Sequence, residues 1–250
     1  MATTKSGRAL WLWLLLWVPA VLLAQPAPLK FNIAPGGYPP YTLEQSVDDH
    51  RGLLFDVVKA FADHEGLRLE VTEIPSKRVE NFLLTGHIHA SPHAIEWTRN
   101  PQRFLFSKPI VWTHDVLIRR ADRPLNVSRV ADLTDMTVVT QLGFSYPKLD
   151  DQVAAGKLQR LDVQHEQEVL SRVLHGYDIG GGILDVRVAR WLIREHHEEG
   201  NVLLYDLDFP RTAFRIKFGP QWQERVEAFN RDLDAMRQSG RLQELIDYYR

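Results

Sequence analysis

The sequence predicts an α/β fold made of two similar units in series, and three observations carry that prediction. The hydrophobic pattern switches repeatedly between the period of two that marks strands and the 3.6-residue period that marks helices. Glycines punctuate the helical stretches at Gly66, Gly86 and Gly240. A balance of 44% hydrophobic and 25% charged residues over 250 positions supports a packed core and excludes disordered, collagen-like and coiled-coil classes.

The chain opens on different material. Lys5 and Arg8 precede an apolar run over 9–24 that is 16 residues long, holds three of the seven tryptophans and closes on the small residue Ala24. A bilayer-spanning helix needs about 20 apolar residues, and this run is shorter and contains Pro19. It reads as an export signal, residues 1–24, cleaved after Ala24. Its removal leaves 226 residues and moves the formal charge from −2 to −4. With no cysteine there is no lipid attachment, disulfide, thiolate metal site or cysteine nucleophile. No basic stripe marks a nucleic-acid surface, so none is expected as a partner.

Residues 29–33 read as a strand. After the turn Gly36-Gly37-Tyr38-Pro39-Pro40-Tyr41, a helix over 53–64 places Leu54, Val57, Val58 and Phe61 on one face. A half-buried strand at 67–74, a short helix at 76–84 and a strand at 88–91 follow. An irregular stretch over 97–109 leads into a β-rich run at 110–119. The rhythm then restarts, with strands at 136–141, 158–163, 179–184 and 202–207 alternating with a helix that opens near Tyr146, one at 166–174 and one at 186–196. The tail over 220–250 is helical and amphipathic, divided by Gly240.

These residues carry a resemblance. The export signal, Tyr38-Pro39-Pro40-Tyr41 after a first strand, and Gly52-Leu53-Leu54-Phe55-Asp56 starting a helix resemble the family 3 periplasmic solute-binding proteins, typified by polar amino-acid binders. Phe106-Ser107-Lys108-Pro109 is similar to that family's Phe-Ser-x-Pro. Val130-Ala131-Asp132-Leu133 with the following Val-Val strand and Gly143-x-Ser145 resembles the opening of its second lobe, and Gly240-Arg241-Leu242 its closing Gly-x-Leu. The likeness covers the mature chain. It implies a type II periplasmic binding protein fold: two α/β lobes joined by crossing hinge strands, lobe one over 25–115 plus 210–250, lobe two over 116–209, closing on a ligand in the cleft.

A binder of amino acids needs a guanidinium for the carboxylate, helix-start amides to share that charge, and an acid for the ammonium. The family's guanidinium stands seven residues before the Ser of Phe-Ser, but here that position is Asn100, so Arg99 or Arg103 is expected to take the role. The resemblance assigns Gly143 and Ser145 to the carboxylate from lobe two, against a plain helix cap, and Asp185 to the ammonium, against an N-cap. Gly180-Gly181-Gly182 marks a close approach of backbone or ligand, or a bulge. Tyr41, in a Gly/Pro-rich loop expected to stay exposed, and Trp97 lead the aromatic candidates, with Tyr38 and Trp112 behind them. Arg78 resembles a helix-start arginine of the same superfamily.

His87, His89 and His93 have a spacing that metal sites also use, but no adjacent carboxylate supports them, and neither a metal nor a cofactor is expected. No nucleophile elbow, phosphate loop or His-Glu-x-x-His occurs. The expected function is therefore non-enzymatic: a monomeric periplasmic protein that binds a small polar solute, such as an amino acid, and delivers it to an ABC permease. The alternatives are an enzyme on the same fold resembling cyclohexadienyl dehydratase, with Glu96 the carboxylate on the cleft side, and a ligand-sensing accessory protein acting through a separate partner.

Overall fold

Each half of the chain supplies three parallel strands to its sheet, and each sheet is extended by antiparallel strands from where the chain crosses between the halves. The computed structural model describes residues 27–250, and the expected signal at 1–24 lies outside them. The first half contains β1 (Pro28–Ile33), the short strands β2 (Gly37–Tyr38) and β3 (Thr42–Leu43), α1 (Leu53–His64), β4 (Arg68–Glu73), α2 (Ser76–Leu84), β5 (Ala90–His93), β6 (Leu105–Phe106) and β7 (Val111–Thr113). The second contains β8 (Asp115–Arg120), β9 (Met136–Gln141), α3 (Pro147–Ala154), β10 (Leu158–Val163), α4 (Glu166–His175), β11 (Gly181–Asp185), α5 (Val186–Glu195) and β12 (Val202–Tyr205). The chain then returns as β13 (Thr212–Phe218) and closes with α6 (Gln223–Gln238) and α7 (Arg241–Tyr248).

The two sheets share one plan. The first has the order β4-β1-β5-β13-β6, with β7 on β13, and the second the order β10-β9-β11-β8-β12. In both, the second, first and third parallel strands are followed by an antiparallel strand. The run expected as one strand over 110–119 breaks at His114. β7 pairs with β13 in the first sheet, whereas β8 pairs with β11 and β12 in the second. His114 is thus a crossing point, its Nε2 lying 3.0 Å from the Asp206 carboxyl on the returning segment.

The element that periodicity missed is β13, the strand inside the first sheet. Its sequence, TAFRIKF, interrupts apolar residues with Arg215 and Lys217. Lys217 is nevertheless buried, its Nζ donating to Glu80 at 3.1 Å and lying 4.8 Å from the Phe104 ring centre. A buried ammonium survives only when paired in this way. The strand expected at 88–91 lies two residues later, at Ala90–His93, because Ile88 turns into the small apolar cluster of Val79, Leu83 and Phe104 under α2.

The start of α1 positions the first crevice loop. Gly52 has φ +104, and a Cβ there would lie 2.5 Å from the Thr42 Cα and 2.6 Å from the Tyr41 carbonyl oxygen. Its amide donates to the Tyr249 hydroxyl, which donates to Asp56, tying the last turn of the chain to α1. Gly52→Ala is expected to cost ~2–5 kcal/mol in urea unfolding, from the left-handed backbone and the backbone clash together. A variant within ~0.5 kcal/mol of the parent would show that the Tyr41–Thr42 loop yields freely.

Candidate functional site

Loops that follow the carboxyl ends of parallel strands build the crevice between the two sheets, the place where open α/β sheets generally offer side chains to ligands. The loop after β1 carries Tyr38 and Tyr41, that after β5 carries Trp97, that after β9 carries Phe144 and Tyr146, and β11 ends on Asp185. Tyr38 stacks on Tyr41 with ring centres 5.6 Å apart, Tyr41 lies 4.2 Å from Phe214 on β13, and Trp97 meets Phe214 edge-on at 4.9 Å. From the other sheet, Phe144 comes within 6.2 Å of Tyr38 and stacks on Tyr146 at 6.4 Å. The rings of the two halves therefore meet.

Asp185 is fully bonded beneath them. Its Oδ1 accepts the amides of Arg187 at 2.8 Å and Val188 at 3.2 Å, capping α5, and also accepts the Tyr41 hydroxyl at 2.8 Å. Its Oδ2 accepts the Thr113 hydroxyl at 2.5 Å. Tyr41 is 1% exposed, contrary to the expectation of an exposed loop residue, because its ring fills the space between Tyr38 and Phe214 while its hydroxyl reaches across to Asp185. Burial holds the Asp185 carboxyl above its ordinary range despite these donors, and pushes the Tyr41 phenol well up, with the Asp185 charge adding to the push.

Asp115 is the direct cross-strand partner of Asp185 between β8 and β11, so the two carboxylates share one face of the sheet. Burial first, and the Asp185 charge second, push the Asp115 carboxyl from its ordinary 3.8 up to about 7. Among the described residues neither Asp115 nor Asp185 has a basic side chain within ion-pair distance. Glu166, the buried first residue of α4, has a carboxyl raised by burial, and the Tyr38 phenol is raised by burial first and then by the charges of Asp185 and Glu166. The Tyr146 phenol is raised by burial and then by Asp115. The crevice is thus aromatic and acidic, a setting for a cation with an apolar body.

Tyr41, Trp97 and Asp185 come together at this crevice. Gly143 and Ser145 lie at its second-sheet rim, where Gly143 supplies a positive φ of 87 for the turn, and both are exposed. Ser145 does not cap α3; Tyr146 holds the N-cap position, with Pro147 first in the helix. Arg99 and Arg103 are exposed and make no side-chain hydrogen bond or ion pair among the described residues, as does Arg78. The glycine run answers to packing: a Cβ on Gly181 would meet Leu117 at 2.6 Å, and one on Gly182 would meet Val169 of α4 at 2.5 Å. His87, His89 and His93 take separate partners, Thr85, the Lys30 amide and Trp97. Sequence reasoning missed Asp115, Glu166, Tyr146 and Phe214. A carboxylate wedged between Thr113-His114 and Val116-Leu117-Ile118 was the one readable sign of Asp115.

The model of the bacterial extracellular solute-binding proteins, family 3, matches residues 32–250. No curated protein sequence matches the chain. Among solved structures, a binding component of an ABC transporter from Wolinella succinogenes complexed with lysine is similar, with a TM-score of 0.74 at 18% identity over 89% of this chain and 95% of that one. An amino acid ABC transporter substrate-binding protein from Streptococcus pneumoniae bound to L-arginine has a TM-score of 0.70 at 18% identity over 89% and 94%. A histidine kinase sensor domain with similarity to periplasmic binding proteins has a TM-score of 0.72 at 14% identity over 90% and 96%. At these identities the likeness is one of fold, the two-lobed type II periplasmic binding protein fold expected above. Matched from its first strand to its last residue, the chain belongs to the bacterial extracellular solute-binding proteins, family 3.

Proposed function

We propose that this protein is a periplasmic solute-binding protein that holds a small cationic solute, an amino acid or a related amine, between its lobes and delivers it to an ABC importer. The observation that carries the reading is the cross-strand pair Asp115 and Asp185, without a basic partner, under aromatic rings supplied by both lobes. A cation bonded there would be covered by Tyr38 and Trp97 from lobe one and by Phe144 and Tyr146 from lobe two. It would make all its contacts only when the lobes are shut, and binding would therefore favour closure. In this reading residues 1–24 are removed on export, lobe one is 25–115 plus 210–250 and lobe two is 116–209. The role is binding rather than catalysis. The basic solutes named for the structures from Wolinella succinogenes and Streptococcus pneumoniae, lysine and L-arginine, agree with a cationic ligand.

A thermal-shift panel tests it. Lysine, arginine and their decarboxylated amines are the positive set, and at least one is expected to stabilise the mature protein, by ~2.7 kcal/mol at 100 times its dissociation constant. Glutamate, glutamine and glucose are expected to leave the melting temperature unmoved. Stabilisation by glutamate alone, or by nothing cationic, would overturn the reading.

A further inference from the structure

We infer that the solute of this crevice is a cation without a carboxylate, an alkyl diamine or alkyl guanidine rather than an α-amino acid. The inference rests on the reading above that the interlobe crevice is the solute site, and it turns on what the crevice offers to an anion.

A carboxylate buried between lobes needs a guanidinium or a set of free amide donors. Arg99 and Arg103, the arginines placed by sequence to supply it, are exposed and bond nothing among the described residues. Arg160, beside the second-lobe rim, is spent on neighbours: Nη1 on Asp150 at 2.7 Å, Nε on Asp162 at 2.9 Å and Nη2 on the Phe144 carbonyl at 3.1 Å. The amides at the start of α5 already serve the protein's own carboxylate, Asp185. Two guanidinium groups remain with a buried Nε that has no partner: Arg187, whose charge is felt by Tyr41, and Arg215 on β13, whose Nη1 donates to the Ser107 carbonyl.

Against these two stand the three carboxyl groups of Asp115, Asp185 and Glu166. A ligand carboxylate placed near the Gly143–Tyr146 turn would face Asp115 and Glu166, both of which raise the Tyr146 phenol. Like charges repel, and more strongly in a buried site than in water. Arginine and lysine would bring a carboxylate into this acidic site together with their two cationic groups, whereas agmatine and cadaverine bring the two cationic groups alone. The rings of Tyr38, Tyr41, Trp97 and Phe214 would cover the alkyl chain between the charged ends, and their faces attract a cation.

Two pairs of compounds differ by this carboxylate: arginine and agmatine, lysine and cadaverine. In isothermal titration of the mature protein at pH 8, the decarboxylated member of at least one pair is expected to bind ten-fold or more tightly than its amino acid. Equal or tighter binding by both amino acids would overturn the inference while leaving the cationic reading intact. Silence from all four would remove both. Arg187→Gln is the second arm. If Arg187 were a carboxylate clamp, the substitution would weaken arginine and spare agmatine, and that result would also overturn the inference; the expected result is that arginine loses no more than agmatine does.

Discussion

Asp115→Asn is expected to melt above the parent protein at pH 8 in the absence of ligand, to approach it as pH falls to 4, and to lose ten-fold or more in affinity for a cationic ligand. The Asp115 carboxyl is raised from 3.8 to about 7, by burial first and by Asp185 second. A carboxyl raised on folding keeps its proton in the folded state from about pH 4 to 7 while the unfolded chain has released it, so the fold is favoured at low pH, weakens as pH rises from about 4 to 7, and loses no more above that. One unit is worth about 1.4 kcal/mol, which sets an upper limit of about 4 kcal/mol above pH 7, reduced by solvent at this half-buried position. Asparagine removes that cost. The groups facing Asp115 are Asp185 from β11 and Tyr146 from the start of α3, with His114 beside it in the chain engaged by Asp206. A bound cation would lower the Asp115 pKa again, so affinity should fall by up to ~10-fold per unit as pH drops below 7, from the one-proton linkage. A variant that melts lower at pH 8 and binds as the parent does would make Asp115 a structural residue.

The parts of the fold legible in the sequence are those where one face of an element is buried. Periodicity predicts α1 at 53–64, α2 at 76–84, β9 at 136–141 and β10 at 158–163, and the structure has them at those bounds. In each, the apolar spacing and the flanking glycine or proline agree, so local and tertiary preferences coincide. β13 escapes because burial on both faces removes the alternation, and because its two basic residues bond Glu80 and the Ser107 carbonyl, partners far off in sequence. The break at His114 escapes because β7 and β8 are both β-rich and nothing local says that they belong to different sheets.

The site was legible where a residue sits at the end of a strand and illegible where a register creates it. Asp185 stands directly after an apolar run and before a helix, so both a cap and a crevice position follow from its place in the chain. The pairing of Asp115 with Asp185 depends on the alignment of β8 against β11 across seventy residues, which no local pattern encodes. Phe214 enters the crevice from β13 and became visible only with that strand. Tyr41 lies at the crevice but is buried where an exposed residue is expected, since its glycine- and proline-rich loop folds inward to bring the hydroxyl to Asp185.

Asp185→Ala should be the most destabilising change in the crevice, at ~2–4 kcal/mol by chemical unfolding. Its carboxylate caps α5, and losing such a cap costs ~0.5–2 kcal/mol. It also receives the buried hydroxyls of Tyr41 and Thr113, and stranding a buried donor costs ~1–3 kcal/mol. Those hydroxyls lie 3.0 Å apart and can bond each other once the carboxylate is gone, which holds the total below the sum of the parts. Asp185→Asn keeps an oxygen for the cap and removes a charge that burial already disfavours, so it should fall within ~1 kcal/mol of the parent. Tyr41 belongs to the first sheet's side and Asp185 to the second, so their bond also ties the lobes directly. Tyr41→Phe deletes that tie together with the hydroxyl contact to Thr113. It should cost little stability in lobe two, couple to Asp185→Ala by at least ~0.5 kcal/mol in a double-mutant cycle, and enlarge the radius of gyration of the ligand-free protein in small-angle scattering. Additive costs with an unchanged radius would mean that Asp185 serves only as the cap of α5 and that the lobes are held together by the ring contacts of Tyr38 and Phe144.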